Sequence, residues 1–218
     1  MADLYSNTDD GNIPSSTVAG WANARDDGTG ASPVVGDAKN RYWVAVYKFS
    51  GRGADQFRVR RSYMYFDTSG ISGTVASATI KIFGFTADTT GSVIAVKSTA
   101  FGGDGGTALA AADLDAMPGY SAGASLAGNV TDYSAAILAG GWAGSYNDLA
   151  STADLRADMK NNNVVIICFM DYTNDYLNVE LAGGGGLVST GAYYTEQGGT
   201  SRDPYITYEL ATGYGNKV

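Results

Sequence analysis

Three carboxylate or amide side chains follow directly after an apolar run that ends at Met170. Asp171, Asn174 and Asp175 lie within a segment of five residues. Carboxylate and carbonyl oxygens are the ligands that Ca²⁺ prefers in proteins, so this segment is a candidate calcium site, although it lacks the full spacing of an EF-hand loop. A hydrogen-bonded turn is the alternative interpretation, because Asp and Asn side chains also bond to nearby backbone groups. We expect no other cofactor.

Two short motifs resemble catalytic signatures but lack the groups that the chemistry needs. Residues 119–123 have the G-x-S-x-G spacing of a nucleophile elbow, which requires a preceding strand and a histidine base. Pro118 precedes the motif, and the chain contains no histidine. Residues 67–70 are close to the Asp-Thr-Gly signature of aspartic proteases, but no second copy supplies the paired carboxylate. We therefore expect no enzyme. A glycosidase, which needs only two suitably spaced carboxylates, is a minor alternative.

Four aromatic side chains lie near glycine-rich turns and are candidates for contact with a partner. Trp142, Tyr146, Tyr193 and Tyr194 have aromatic faces that can stack on sugars or on a neighbouring subunit. Packing in the core is the alternative interpretation for each of them. The sequence alone leaves both interpretations open.

The basic residues are concentrated in one short segment. Arg58, Arg60 and Arg61 form the densest basic cluster of the chain. In an acidic protein such a cluster is a candidate docking patch for an acidic partner surface. An internal network of ion pairs is the other interpretation.

Composition argues against several classes of function. The chain has 14 Lys and Arg residues against 22 Asp and Glu residues, a formal net charge of -8. This charge repels a phosphate backbone, so we expect no nucleic-acid partner. The longest apolar run, residues 164–170, is far shorter than the ~20 residues that span a bilayer, and we expect no membrane partner. That run contains the only cysteine, Cys168, which we expect to be a buried, inert thiol.

The same composition predicts a β protein with many turns. Of 218 residues, 30 are Gly, and only three of the 22 acidic residues are Glu, which favours helices more than Asp does. Short runs rich in Val, Ile, Tyr, Phe and Thr predict strands. The predicted strands are residues 42–49, 58–66, 79–85, 93–98, 164–170, 177–181, 191–195 and 205–210.

Alternation of side chains indicates which strand faces are buried. Ile80 and Ile82 alternate with Lys81, so this strand is half-exposed. In residues 58–66, apolar or aromatic side chains occur on both faces, which predicts a strand that is covered on both sides. A neighbouring subunit is a candidate for one of the covers.

The segment 99–163, which we call the excursion, is too long for a structureless loop in a compact domain, so it should contain short helices. A capping pattern that begins at Ser151 predicts a helix over residues 152–160, and weaker patterns predict helices over 109–117 and 133–139. The predicted fold is mainly β, an antiparallel two-sheet β-sandwich of the jelly-roll type with these helices in the long excursion. The predicted organisation is an N-terminal arm, residues 1–40, followed by the jelly-roll domain, residues 41–218.

A recurrent pattern runs through the middle of the chain. Arg61 begins an apolar stretch that ends in residues 66–69, Phe-Asp-Thr-Ser, and after a turn of small residues Ser77-Ala78-Thr79-Ile80 opens the next strand. This pattern resembles jelly-roll modules of the DNRLRE type and structural proteins of tailed phages. Weaker matches follow in the expected order over residues 20–210.

The resemblance implies a scaffold without catalytic residues, and any function inferred from it is an analogy. It predicts a non-enzymatic bacteriophage virion protein, either a capsid decoration (cement) protein or a tail or fibre component, which is made in the host cytoplasm. The expected partners are other capsid or tail proteins and further copies of the chain, in a homotrimer. The arm and the doubly covered strand are candidate subunit contacts. The alternative is a carbohydrate-binding module that recognises cell-surface glycans.

Overall fold

The computed structural model describes residues 1–36, 39–195 and 201–212, and the side chains of residues 39–42 and 86–89 lie outside that description. The described residues form twelve strands. These are β1 (Ala2–Tyr5), β2 (Gly11–Pro14), β3 (Val18–Ala19), β4 (Val34–Val35), β5 (Lys39–Phe49), β6 (Gln56–Asp67), β7 (Val75–Thr89), β8 (Ile94–Lys97), β9 (Tyr146–Ala150), β10 (Val164–Met170), β11 (Gly186–Tyr193) and β12 (Tyr205–Leu210).

Helices are few and short. The α-helices of the described residues are α1 (Trp21–Arg25) and α2 (Ala153–Asn161). Short 3₁₀ segments occur at Phe101–Gly103 and Ala111–Asp115, and one π-helical turn occurs at Tyr172–Tyr176. Within the described ranges, no helix has the length and apolar character needed to span a membrane.

The strands form two layers in which the paired strands are antiparallel. Sheet A has the order β1-β12-β7-β9. Sheet B has the order β11-β5-β6-β10-β8, and β2 and β3 also pair with β6. The long strand β7 joins the sheets, because its first part pairs with β12 and its last part pairs with β11. The structure confirms the predicted mainly β, antiparallel two-sheet sandwich.

The main core lies between the two sheets. It is built from alternate residues of the strands, as the sequence pattern predicts for Ile80 and Ile82, which are completely buried. Trp43 lies at its centre, with ring centroids 4.8 Å from Phe169 and 5.4 Å from Trp142. Burial of each large apolar side chain contributes roughly 1.5–3 kcal/mol to folding.

A second core covers the other face of sheet B. Tyr63 and Tyr65 of β6 pack there against side chains from the excursion that follows β8. The Tyr63 hydroxyl donates a hydrogen bond to the carbonyl oxygen of Leu114 at 2.5 Å, and the Tyr65 ring lies 5.0 Å from Phe101. The strand β6 is therefore covered on both faces, as predicted. The cover over these two tyrosines is the chain's own excursion, which corrects the expectation of a subunit there.

The N-terminal segment lies along the sandwich. Strand β1 pairs with β12 at the edge of sheet A, and β2 and β3 pair with β6 in sheet B. In the link between β2 and β3, the backbone N–H of Ser15 donates a hydrogen bond to the carbonyl oxygen of Val59 at 2.8 Å. Residues 37 and 38, beside the predicted boundary between arm and domain, lie outside the described residues.

Residues 177–181 do not form the predicted strand. The Asp171 carboxylate accepts a hydrogen bond from the backbone N–H of Asn174 at 2.7 Å and begins the π-helical turn. Asn178 then has a φ angle of 56°, which is incompatible with an extended strand. The alternation of Leu177, Val179 and Leu181 is misleading here, because local hydrogen bonds determine the backbone.

Residues 133–139 do not form the predicted helix either. The backbone of Ile137 exchanges two hydrogen bonds with Val93, each 2.8 Å long. These bonds engage the backbone N–H and C=O groups of Ile137, which in a helix would bond to other residues of the same segment. Instead of the predicted helix over residues 109–117, the structure has a shorter 3₁₀ turn at Ala111–Asp115. Strand β9 also lies in the excursion and is not predicted from the sequence.

The helix α2 confirms the strongest helix prediction. Its N-cap is Thr152, one residue later than the predicted cap Ser151, and the Thr152 hydroxyl accepts a hydrogen bond from the backbone N–H of Leu155 at 3.3 Å. Leu155 and Met159 lie on one face and are fully buried in the main core. The cap fixes where the helix begins, and its apolar face packs the helix against the main core.

Replacement of the cap by Thr152→Ala should lower the free energy of unfolding by about 1 kcal/mol, because a backbone N–H at the start of the helix loses its acceptor. The Thr152 hydroxyl also donates to the carbonyl oxygen of Asp132 at 2.7 Å, and this bond is lost too. Urea denaturation followed by circular dichroism measures the change. Thr152→Ser keeps the hydroxyl and should stay close to the wild type; an equal loss in both variants would contradict the capping role.

Candidate binding face

The structure separates the four predicted contact aromatics into two pairs. Trp142 and Tyr194 belong to the core between the sheets, with exposed fractions of 3% and 1%. The indole N–H of Trp142 donates to the carbonyl oxygen of Gly191 at 3.0 Å, and the Tyr194 hydroxyl accepts from the side-chain amide of Asn12 at 3.2 Å. Both polar groups are thus satisfied inside the protein. The structure does not place these two side chains at a surface.

Tyr146 and Tyr193 lie on the outer face of sheet A, where they belong to a continuous row of rings. We call this row the aromatic belt. Neighbouring ring centroids along it are 5.1–5.9 Å apart. In order, the belt consists of Tyr5, Tyr205, Tyr146, Phe83, Tyr193 and Phe85.

Strand alternation and register build the belt. On β7, Phe83 and Phe85 alternate with the buried Ile82, so their rings point away from the core. Register places Tyr5 opposite Tyr205, and Phe83 opposite Tyr146. The rings therefore come from β1, β12, β9, β7 and β11, and the sheet backbone holds them in place.

Most ring pairs of the belt pack edge to face. The interplanar angles are 78° for Phe83 and Tyr146, and 86° for Phe83 and Tyr193. This is a favoured geometry, because the positive edge of one ring meets the negative face of the next. Tyr5 is 44% exposed, and the other belt residues are half-buried. The row thus offers part of its aromatic surface to solvent while the rings support one another.

The belt carries an arginine side chain. The guanidinium carbon of Arg202 is 4.7 Å from the ring centroid of Tyr193 and 5.2 Å from that of Phe83. Both distances fall within the range of a cation–π interaction. Arg202 is exposed, so its N–H groups remain accessible to solvent.

The hydroxyl of Tyr146 is hydrogen-bonded and protonated. It donates a hydrogen bond to the backbone carbonyl oxygen of Asp203 at 3.2 Å. Burial, followed by the neighbouring Tyr205, Tyr5, Asp203 and Asp3, raises the pKa of Tyr146 to about 12. The belt therefore presents this ring as an uncharged phenol near neutral pH.

Of the six belt rings, Tyr146 and Tyr193 are predicted from the sequence, and Arg202 is not predicted as a contact residue. The missed signal on β7 is the placement of Phe83 and Phe85 in phase with Lys81, on the side that the alternation assigns to solvent. Tyr5 and Tyr205 have no comparable signal, because they become neighbours only through the pairing of β1 with β12.

The predicted arginine patch is divided between the two faces of β6. Arg61 is fully buried, whereas Arg58 and Arg60 are half-buried and point to the opposite face. The predicted internal ion-pair network is present around Arg61. Docking of an acidic partner on Arg58 and Arg60 stays a prediction.

We call the buried network the arginine cluster, which consists of Arg25, Arg61, Asp26, Asp115 and Asp175. Arg61 donates two hydrogen bonds to the Asp175 carboxylate, from Nε at 2.7 Å and from Nη2 at 2.8 Å, and Nη1 donates to Asp115. Arg25 Nε donates to the backbone carbonyl oxygen of Asp175 at 2.8 Å. Burial favours loss of the Arg61 charge, but Asp175, followed by Tyr120 and Asp115, outweighs it and raises the pKa of Arg61 well above its ordinary value.

The predicted calcium ligands are used in separate hydrogen bonds. The Asp171 carboxylate accepts from the backbone N–H of Asn174 and, at 2.9 Å, from that of Ser92, while Asp175 binds Arg61. Among the described residues, no group of three His, Cys, Asp or Glu side chains is arranged to hold a metal ion. These bonds are those of the hydrogen-bonded turn that the sequence also suggests. A calcium site at Asp171, Asn174 and Asp175 stays a prediction.

The two motifs that resemble catalytic signatures have structural roles. Asp67 closes a turn, because its carboxylate accepts a hydrogen bond from the backbone N–H of Ser69 at 3.0 Å. Hydrogen bonding to the Ser69 side chain, and then to its backbone, lowers the pKa of Asp67. Gly119 adopts a φ angle of 86° in a turn, and Ser121 is exposed. Cys168 is completely buried, and that burial raises the pKa of its thiol to about 12.

Comparison with known proteins adds no assignment to these observations. No model of a protein family matches the chain, and no curated protein matches it.

Proposed function

We propose that this chain is a non-enzymatic structural component of a bacteriophage particle, either a capsid decoration (cement) protein or a tail or fibre component. It occupies the virion through contacts with other capsid or tail proteins and with further copies of itself, in a trimer. The resemblance of residues 61–82 to phage structural proteins supports the proposal, and so does the two-sheet sandwich in which those residues form β6 and β7. The observation that carries it is an exposed apolar patch on β5 and β11.

The apolar patch consists of Tyr47, Phe49 and Leu187. Phe49 is 49% exposed and Leu187 is 38% exposed. The rings of Tyr47 and Phe49 stack with centroids 5.8 Å apart, and Leu187 pairs directly with Tyr47 across the sheet. Stacked rings beside an aliphatic side chain on rigid strands are typical of a surface that is covered in a protein assembly. Because the strands already fix these side chains, little entropy is lost when a partner covers them.

The combined substitution Phe49→Ser and Leu187→Ser should weaken self-association by about tenfold or more, because the centre of an interface supplies most of its binding energy. Sedimentation equilibrium over a range of concentrations measures the effect. Leu138→Ser is the matched control, since Leu138 is 62% exposed outside the patch and should leave the association unchanged.

A second measurement tests the location. Mass spectrometry of purified particles from the phage that encodes the chain should detect it in a fixed ratio to the capsid or tail proteins. A wild-type chain that is monomeric at every concentration and missing from the particles would overturn the proposal.

A second candidate function is a carbohydrate-binding module. The aromatic belt favours it, because partly exposed rings at regular intervals offer π faces to the C–H groups of sugar rings. Tyr146 and Tyr193 are the two residues that the sequence and the structure both assign to this surface.

A further inference from the structure

The border of the aromatic belt differs in chemistry from the apolar patch. The rings of the apolar patch are bordered by the aliphatic Leu187. The rings of the belt share their outer face with polar side chains, which include Asp3, Lys81, Asp148 and Thr207. Lys81 and Asp148 form an ion pair at 2.5 Å, with Asp148 57% exposed. Rings bordered by exposed donors and acceptors can satisfy a ligand that is apolar on its flat face and hydroxylated around its rim. A sugar ring is such a ligand.

Arg202 adds a preference for negative charge. Its guanidinium group lies over the rings of Phe83 and Tyr193, and the residue is exposed. An arginine that stacks on aromatic faces keeps its N–H edge available, and that edge matches the two oxygens of a carboxylate. The chain as a whole has a net charge of -8, but the exposed Arg202 beside the aromatic rings gives the belt a local preference for negative charge.

We propose that the aromatic belt binds a carbohydrate chain that contains carboxylate-bearing sugars, with sugar rings against Tyr193 and its neighbours and one carboxylate on Arg202. This inference rests on the second candidate function and names its ligand class. It is also compatible with a place in a virion, because the apolar patch that serves assembly consists of different residues on β5 and β11.

Two oligosaccharide series that share one sugar separate stacking from charge recognition. Hyaluronan oligosaccharides alternate a uronic acid with N-acetylglucosamine, and chitin oligosaccharides contain the N-acetylated sugar alone. Isothermal titration calorimetry with the full chain should show tighter binding of the hyaluronan series. Tyr193→Ala should weaken binding of both series by about tenfold, which corresponds to about 1.4 kcal/mol, whereas Tyr193→Phe should retain binding because it keeps the ring.

Arg202→Ala should weaken binding of hyaluronan oligosaccharides by about tenfold and leave chitin oligosaccharides unchanged. Arg202→Lys should restore part of the loss, since a lysine keeps the charge but not the two-point geometry. Arg52→Ala is the matched control for an exposed arginine outside the belt. Unchanged melting temperatures show that the variants are folded.

Three outcomes would overturn the inference. Binding of both series with no effect of Arg202→Ala would retain the carbohydrate-binding function but remove the carboxylate. Absence of binding to either series would remove both. Loss of self-association in Tyr193→Ala, without any sugar binding, would assign the belt to a second copy of the chain instead. None of these results depends on whether the chain is found in phage particles.

Discussion

Arg61→Ala should lower the free energy of unfolding by about 3–5 kcal/mol, because removal of one partner leaves a buried charge uncompensated. Asp175 is 1% exposed in its side chain and loses both of its hydrogen bonds from Arg61. The backbone carbonyl oxygens of Leu114 and Arg25 lose donors at the same time. Chemical denaturation measured by tryptophan fluorescence gives the change.

The size of this effect follows from burial rather than from the ion pair as such. Lys81→Ala removes the pair with Asp148 on the exposed face of sheet A, and an exposed pair contributes no more than about 1 kcal/mol. Replacement of both charges, Arg61→Met with Asp175→Asn, should recover part of the stability lost in Arg61→Ala, since neither group is then buried as an unpaired ion. Similar losses for Arg61→Ala and Lys81→Ala would contradict the structural assignment.

The arginine cluster also explains how separate parts of the chain are held together. Arg25 comes from α1, Arg61 from β6, Asp115 from the 3₁₀ turn of the excursion and Asp175 from the π-helical turn. The Tyr120 ring lies 5.1 Å from the guanidinium carbon of Arg61, within reach of a cation–π interaction. We therefore expect amide hydrogen exchange in Arg61→Ala to increase first in the excursion, because this cluster, together with the second core, attaches it to sheet B.

Gly119→Ala is the second substitution with a large expected effect. A Cβ atom at this position would lie 2.0 Å from the carbonyl oxygen of Asn129, and the backbone φ angle is +86°. Left-handed backbone costs an L-residue roughly 1–2 kcal/mol, and the shift that relieves such a clash typically costs about 1–3 kcal/mol more. The melting temperature and the denaturation midpoint should both fall clearly.

Gly123→Ala separates the two causes. Gly123 also has a positive φ angle, +73°, but nothing lies within 4 Å of a Cβ atom there. This variant should show only the smaller, conformational cost of roughly 1–2 kcal/mol. Equal losses at the two positions would show that the close approach of Asn129 has no energetic weight. Backbone geometry thus accounts for both glycines of the G-x-S-x-G motif.

The strand predictions are confirmed where the pattern of buried and exposed side chains is regular along the strand. β10 and β12 have the predicted bounds, and β6 and β7 contain the predicted segments at residues 58–66 and 79–85. Their side chains alternate between core and surface, or are buried on both faces, so the local pattern reports the environment directly. The prediction fails at residues 177–181, where hydrogen bonds of Asp171 to its own turn override the alternation.

The sequence determined the strands at residues 58–66, 79–85, 164–170 and 205–210, the apolar faces of those strands, the β-sandwich class and the burial of Cys168, because each of these is a property of neighbouring residues. Only the tertiary structure decided which rings and charges meet. Arg61 and Asp175 are 114 positions apart, and the belt combines rings from five strands. Such contacts depend on strand order and register, which fix neighbours across the sheet and which local propensity does not encode.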